Sequence, residues 1–168
     1  MPANLENVVE AILSLETTTI VSCPLYPREI SGIGAGAEGA LDAMGTQFTL
    51  AVPKRGVIIS AMFYDLDFEG TQVNIYLFNR KVTAIADNAA WTLSDADAPS
   101  LVAKLAFAGP DTHSTTCYTF ELNSIGKGYT APDGLFWVQA SCVGTPTIAV
   151  APRFQLQIQS FDPTFKES

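Results

Sequence analysis

Three carboxylates and a glycine in "YDLDFEG" have the spacing with which a calcium-binding loop begins. Asp65, Asp67, Glu69 and Gly70 stand at relative positions 1, 3, 5 and 6 of such a loop. An EF-hand also needs a bidentate Glu at position 12, where this chain has Tyr76. We therefore predict no EF-hand, and expect the carboxylates to line the solvent face of a strand end. A weakly bound surface cation at Asp65, Asp67 and Glu69 is the alternative.

The sequence "GAGAEG" at residues 34–39 matches the glycine pattern of dinucleotide-binding loops. That pattern binds a pyrophosphate only when a strand enters it and a helix leaves it, because the helix N-terminus supplies the amide donors. Here "YPREIS" precedes the glycines, and "ALDAMG", which is too short for that helix, follows them. We predict a small-residue connection and no bound cofactor.

Nucleophilic catalysis has little support in the sequence. The single histidine, His113, lies beside Asp111 and Ser114, but sequence neighbours rarely reach triad geometry, and no G-x-S-x-G elbow is present. Seventeen acidic residues leave open a pair that converges in space for glycoside hydrolysis, although no spacing singles one out. We predict that the chain is not an enzyme.

Composition predicts one folded domain with appendages. Of the 168 residues, 48% are hydrophobic and 15% charged, which provides enough apolar surface for a core. The net charge of −8 and the lack of a basic stripe disfavour nucleic acids and anionic membranes as partners.

The N-terminal sequence and the cysteines bear on where the chain is made. The first apolar run is interrupted by Glu10 and Glu16 and has no basic region before it. It therefore predicts neither a signal peptide nor a membrane-spanning helix, and synthesis in the cytoplasm without Sec export. Cys23, Cys117 and Cys142 are widely spaced, which argues against a disulfide framework and a zinc site and favours buried thiols.

From Thr46 onward the sequence alternates with period two, as half-buried strands do. Eight strands are predicted, in "QFTLAV", "VIISAMFYDLDF", "QVNIYLFN", "SLVAKLAFA", "CYTFELN", "LFWVQASCV", "TPTIAVAP" and "FQLQIQS". The side chains predicted on one side of the second of these are Ile58, Met62, Tyr64, Leu66 and Phe68. Short strands without intervening helices favour an all-β antiparallel sandwich of the jelly-roll type. We expect an N-terminal arm and Gly/Ala-rich connection over residues 1–45 and the sandwich domain over residues 46–168.

One helical turn is predicted at "LSDADAPS", where Ser94 caps, Asp97 follows three residues later, and Pro99 ends the turn.

Aromatic residues suggest an interaction surface. Tyr76 and Phe78 point outward if the other face of their strand packs the core, so they need a cover, either the arm or another subunit. Trp91 and Trp137 could stack on a sugar, although aromatic residues on strands more often fill a core or a subunit interface.

Residues 73–107 resemble a set of tailed-bacteriophage virion proteins that are often encoded near the major capsid protein. The shared pattern is a strand that ends in an apolar-"LF" step, a short loop, "ADNAAW/F", a "LSDAD" turn and another strand. The matching residues are Leu77, Phe78, Ala86, Asp87, Asn88, Ala89, Ala90, Trp91, Leu93, Ser94, Asp95, Ala96 and Asp97. The close match covers about a fifth of the chain.

This resemblance implies a head decoration or cement protein, made in the host cytoplasm and placed on the capsid exterior. Such proteins are small β-sandwiches, commonly trimeric, that clamp adjacent major capsid subunits. The contact regions we expect are the arm and the loop 79–99, with interface candidates Tyr76, Phe78, Asp87, Asn88 and Trp91. The alternatives are a tail, neck or fibre-attachment component and a glycan-binding module.

Overall fold

A computed structural model of the chain describes residues 19–34, 37–67, 69–112, 116–162 and 164–165. Within these ranges the chain forms ten β-strands and one short 3-10 helix, Ala98–Ser100. The strands are β1 (Thr19–Glu29), β2 (Ala43–Ala51), β3 (Arg55–Asp65), β4 (Val73–Phe78), β5 (Leu101–Phe107), β6 (Asp111–Thr112), β7 (Tyr118–Leu122), β8 (Lys127–Thr130), β9 (Leu135–Cys142) and β10 (Arg153–Ser160). The predicted all-β class is confirmed.

The described strands form two antiparallel sheets with the connectivity of a jelly roll. The larger sheet has the order β1-β10-β3-β7-β6, with β8 also paired to β3, and the smaller has the order β2-β9-β4-β5. The first strand pairs with the last, β2 with β9, β3 with β7, and β4 with β5, as in one long hairpin wound around a core. The predicted jelly-roll sandwich is therefore confirmed.

The main core lies between the two sheets and is rich in phenylalanine. Phe63 contacts Phe120 edge to face, with ring centroids 5.7 Å apart, and Phe107 meets Phe154 in the same way. Side chains of this kind contribute roughly 1.5–3 kcal/mol each when fully buried. This burial fixes the two sheets against each other, so that each has one outer face available for other segments.

Seven of the eight predicted strands have counterparts among the described residues. The eighth prediction, "TPTIAVAP", is wrong, because this segment is a loop with one isolated bridge, between Thr147 and Ala37. Pro146 and Pro152 lack the N–H that a strand ladder needs. The short strands β6 and β8 were not predicted, since their sequences are too short to show a period.

The inward face predicted for β3 is wrong beyond Ile58. The register against β10 shifts between Ile58 and Ser60, so β3 carries one extra residue there. A bulge of this kind moves every later side chain to the opposite face. Phe63 and Asp65 are therefore buried and Tyr64 is half-buried, the reverse of the prediction. Phe68 lies outside the described residues.

The described sandwich begins well before residue 46. The strand β1 pairs with β10 from Thr19 to Glu29, although the sequence assigned this stretch to an arm. Ile30 and Met44 are buried in the main core, and the predicted boundary at residue 45 cuts through β2. Residues 1–18 of the predicted arm lie outside the described residues. None of the helical structure in the described ranges is long and apolar enough to cross a membrane.

Candidate functional site

The candidate site is residues 79–100, which connect β4 to β5 and which we name the cover loop. Its apolar side chains meet those on the outer face of the four-stranded sheet. Tyr76, Phe78 and Val82 form a second buried cluster, separate from the main core. Partly buried side chains packed against this cluster are Trp91, Leu93, Leu101 and Trp137.

Tyr76 and Phe78 were expected to need an arm or another subunit as a cover, and the structure covers them with the cover loop itself. Tyr76 is 7% exposed and Phe78 is 1% exposed. The ring of Trp91 stacks on Tyr76, with centroids 3.9 Å apart and planes 17° from parallel. Neither Tyr76 nor Phe78 can contact a partner while the cover loop stays in this position.

Two lysines complete the aromatic cluster. Lys104, opposite Tyr76 on β5, places its Nζ 5.7 Å from the Tyr76 ring centroid. Lys81 of the cover loop places its Nζ 5.5 Å from the ring centroid of Trp137. At these distances a cation is attracted by the ring face. Both tryptophans considered for sugar stacking thus have partners within the chain.

Asp87 and Asn88 hold the small-residue connection between β1 and β2. The Asp87 carboxylate accepts hydrogen bonds from the backbone N–H of Gly34 at 2.6 Å and of Gly45 at 2.5 Å. Asn88 Oδ1 accepts one from the N–H of Gly39 at 3.0 Å. The amides of Gly34 and Gly39 belong to the glycine pattern at residues 34–39, and they bind side chains of the cover loop. We name this set of contacts the clamp.

Backbone pairing strengthens the clamp. The N–H of Ala43 donates to Ala89 O and that of Asn88 to Ala43 O, both at 2.8 Å, while the N–H of Trp91 donates to Leu41 O at 3.0 Å. Asn88 has φ of 55°, a left-handed conformation that asparagine tolerates better than most residues. The cover loop and the connection are therefore one hydrogen-bonded unit, which explains an asparagine at this position.

Other side chains fix both halves of the cover loop. Gln139, buried on the outer face of β9, bonds to both backbone groups of Ile85: its amide donates to Ile85 O, and the Ile85 N–H donates to Gln139 Oε1 at 3.2 Å. Ser94 and Asp97 bond to each other, with the Asp97 N–H donating to Ser94 Oγ at 3.1 Å and that hydroxyl donating to Asp97 Oδ2 at 2.8 Å. Ser94 was predicted to cap the helical turn, but the N-cap of the observed helix is Asp97, which has no side-chain cap bond. The pKa of Asp97 is lowered, chiefly by the Ser94 hydroxyl.

Pro99 was predicted to end this turn, but it lies inside the 3-10 helix Ala98–Ser100. The first positions of a helix have no intrahelical acceptor for their N–H, so proline is accepted there.

Glu38 is a buried carboxyl group beside the clamp. It is 2% exposed, and its Oε2 has no hydrogen-bond partner. Burial raises the pKa of Glu38, and the charges of Asp87 and Asp42 raise it further. The thiol of Cys142 lies close by and donates to Gly39 O at 3.0 Å. Glu38 is thus a buried titrating group of this region, and no feature of the sequence pointed to it.

The three carboxylates proposed as weak metal ligands line one cleft, but two of them bind backbone amides. Asp65 accepts from the N–H groups of Asp67, at 3.2 Å, and Gly70, at 2.7 Å. Asp67 accepts from the N–H of Ala149 at 2.6 Å. Glu69 is exposed. Within the part of the chain that the structure describes, no group of three such side chains could hold a metal ion.

The prediction that Asp65 faces solvent is wrong, because the β3 bulge turns it inward. Burial raises its pKa, and contact with the Asp67 carboxyl group raises it further. Asp65 thus fixes the β3–β4 loop, and Asp67 connects that loop to the β9–β10 loop.

The remaining candidates lie apart from the clamp or outside the description. His113 and Ser114 lie outside the described residues, and Asp111 is exposed on β6. Cys23 and Cys142 are buried, as predicted, whereas Cys117 is partly exposed. Comparisons with known protein families, with curated proteins and with solved structures each found no match.

Proposed function

We propose that this protein is a non-enzymatic structural component of a bacteriophage virion that decorates the capsid exterior and cements adjacent major capsid subunits. Its partners in this role are the major capsid protein and further copies of the same chain, as a trimer if it follows the proteins that it resembles. The observation that carries the proposal is that the residues of the "ADNAAW" and "LSDAD" pattern form one built unit, the cover loop.

Each part of that pattern has a definite contact. Asp87 and Asn88 form the clamp, Trp91 stacks on Tyr76, and Ser94 and Asp97 bond to each other. Most of these contacts join the pattern to other parts of the chain, namely the β1–β2 connection and the outer face of β4. The residues that carry the resemblance therefore build one structural element of this chain, and this supports the proposal of a shared role.

The jelly-roll fold agrees with this role but does not select it, since viral capsid and lectin domains both use the fold. The tryptophans favour the virion role over the glycan-binding one. One face of Trp91 is taken by Tyr76, and Lys81 lies over Trp137. A sugar platform needs an open aromatic face, so glycan binding would require these contacts to break.

The outer surface of the cover loop is the contact surface that we propose for the capsid. It has an open groove lined by alternating small, polar and apolar side chains: Thr83, Ile85, Ala90, Thr92, Leu93 and Asp97. The clamp and the aromatic cluster hold the backbone beneath this surface. The loop therefore loses little conformational entropy when it binds a partner. Several such contacts per oligomer would multiply a modest affinity and brace the shell against internal DNA pressure.

Two charge-matched variants test this surface. Thr92→Arg adds a bulky cation to the groove, whereas Asn123→Arg adds the same group at an exposed position after β7. Purified protein is mixed with capsids stripped of it, and co-sedimentation measures binding. We expect the wild type and Asn123→Arg to bind and Thr92→Arg to lose most of its binding, with all three equally stable to heat.

A wild-type protein that does not sediment with stripped heads would overturn the proposal. Binding to isolated tails instead would favour the tail, neck or fibre-attachment alternative, which uses the same body. Binding on a glycan array that disappears in Trp137→Ala would favour the glycan-binding module.

A further inference from the structure

The strand β1 carries an outward bulge with two large apolar side chains. Its register against β10 runs from Cys23, opposite Leu156, directly to Arg28, opposite Phe154. The residues between them, 24–27, are "PLYP", and they face only Gln155. Leu25 is 46% exposed and Tyr26 is 79% exposed. We name these two residues the knob.

The knob is held in a fixed shape. Gln155 Nε2 donates to the carbonyl oxygens of Pro24 and Leu25, at 3.0 Å each. Prolines on both sides restrict the backbone of the bulge. A side chain presented from a restricted backbone loses little conformational entropy when it binds.

Protection of a sheet edge explains only part of this feature. β1 is the edge of the larger sheet, and bulges and prolines prevent unwanted strand pairing at such edges. Protection calls for polar or charged side chains at the exposed positions, and the chain has leucine and tyrosine instead. Tyrosine is also among the residues that most often dominate protein interfaces.

A groove of mixed polarity lies beside the knob, where the edge strands β1 and β2 of the two sheets meet. Its apolar walls include Leu25, Leu50, Leu135 and Phe165, and Arg28 and Thr49 add polar groups. The groove has a volume of about 220 Å³, more than the roughly 150 Å³ of a cavity that binds benzene, so it has room for an aromatic ring. Leu25 belongs to both features and forms the wall between them.

We propose that the knob of one copy inserts Tyr26 into this groove of a second copy of the chain. Tyr26 has an apolar ring and a polar hydroxyl, and the groove offers apolar walls together with Arg28 and Thr49. A protrusion and a cavity that match in this way make one surface self-complementary, as contacts between identical subunits require. Both a two-fold pair and a closed ring of three can use this contact. The inference deepens the proposed function by naming how copies join, although its evidence comes from β1 and its neighbours alone.

The net charge of the chain predicts how self-association depends on salt concentration. With −8 on each copy, association brings like charges together, and salt screens that repulsion. An apolar contact is not weakened by screening. We therefore expect self-association to increase with salt, the opposite of an ion-pair interface.

The inference is tested on purified full-length protein without capsids. A negative result therefore bears on self-association and leaves the proposed capsid role untouched. Sedimentation velocity over a range of concentrations measures self-association. We expect Tyr26→Ser to weaken it by roughly tenfold or more, as loss of a central aromatic anchor does. The matched control is Phe161→Ser, at a 43% exposed aromatic side chain that follows β10, and it should leave self-association within roughly twofold of the wild type.

A photocrosslinker locates the occupant of the groove. p-Benzoylphenylalanine replaces Tyr26, and isotopically heavy and light chains are mixed before irradiation. Heavy–light adducts at Leu50, Leu135 or Phe165 would support the proposal. It would be overturned by a wild type that stays monomeric at all concentrations, by adducts only within one chain, or by adducts only at other surfaces.

Discussion

The two sheets of this sandwich have outer faces of opposite character. On the four-stranded sheet, Tyr76 and Phe78 are buried under the cover loop. On the six-stranded sheet, the corresponding face of β10 carries Gln155, Gln157 and Gln159, which remain exposed or half-exposed. Their amide groups can form hydrogen bonds with water or with neighbouring side chains. The hydroxyl of Ser60, for example, donates to Gln157 Oε1 at 3.0 Å.

The difference shows that the composition of an outer face determines whether it needs a cover. Aromatic side chains there leave apolar surface in water, and a segment that buries it gains roughly 25 cal/mol for each Å² removed. A row of glutamines offers no such gain. The outer face of the four-stranded sheet is therefore covered by a 22-residue loop of the same chain, whereas the glutamine face of β10 needs no such cover.

The largest expected effect is at the centre of the covered face. Phe78→Ala removes a ring that is almost fully buried, and should lower the free energy of unfolding by about 3–5 kcal/mol. Gln157→Ala on the other face should change it by less than about 1 kcal/mol. Urea denaturation followed by tryptophan fluorescence measures both. Equal losses of unfolding free energy at the two positions would contradict the claim that the aromatic face depends on its cover and the glutamine face does not.

A smaller loss is expected at the clamp. Asp87→Ala deprives the Gly34 and Gly45 amides of a charged acceptor, which should cost about 2 kcal/mol. Hydrogen exchange in residues 37–45 should accelerate, because this segment loses its attachment to the cover loop. Asp95→Ala, at an exposed carboxylate of the same loop, is the control. Unchanged exchange in Asp87→Ala would mean that backbone pairing alone holds the segment.

The Tyr76–Trp91 stack should contribute a still smaller coupling. A double-mutant cycle with Tyr76→Leu and Trp91→Leu should give about 0.5–1.5 kcal/mol beyond the sum of the separate losses of apolar contact. A coupling of zero would show that the two rings contribute only through burial and not through their stacking.

The smallest effect is the pH dependence of the clamp region. The pKa of Glu38 in the folded chain lies above its ordinary value of 4.5. Between those two pKa values the folded state holds the proton more tightly than the unfolded state, so this group's contribution to stability falls as the pH rises. Glu38→Gln should therefore show a smaller loss of stability than the wild type from pH 4 toward neutrality. Parallel curves for the two proteins would contradict the burial of an ionising carboxyl group there.

The sequence predicted the sheets well because alternation reports directly on which side chains are buried. β2, β4, β9 and β10 all followed from this signal. It failed in β3, where one inserted residue reversed the phase, since a bulge leaves no mark in composition. It also failed for β1, where prolines hid a strand that pairs with β10 on both sides of its bulge.

The candidate site was half predicted. Tyr76 and Phe78 were correctly identified as outward residues that need a cover, but the cover was sought in the arm or another subunit. Asp87 and Asn88 were singled out as interface candidates and turn out to bind the chain's own glycine amides. Contacts across 42–53 residues of sequence depend on tertiary structure, and no local pattern encodes which segment a carboxylate will meet.

The retention of DNA by heads with and without this protein tests the proposed cement role most directly. Heads assembled without the chain are heated or osmotically shocked, and released DNA is measured before and after adding back the purified wild type or Thr92→Arg. The proposed role predicts early release, restored to normal by the wild type and not by the variant. Heads that retain their DNA equally well without the protein would contradict it.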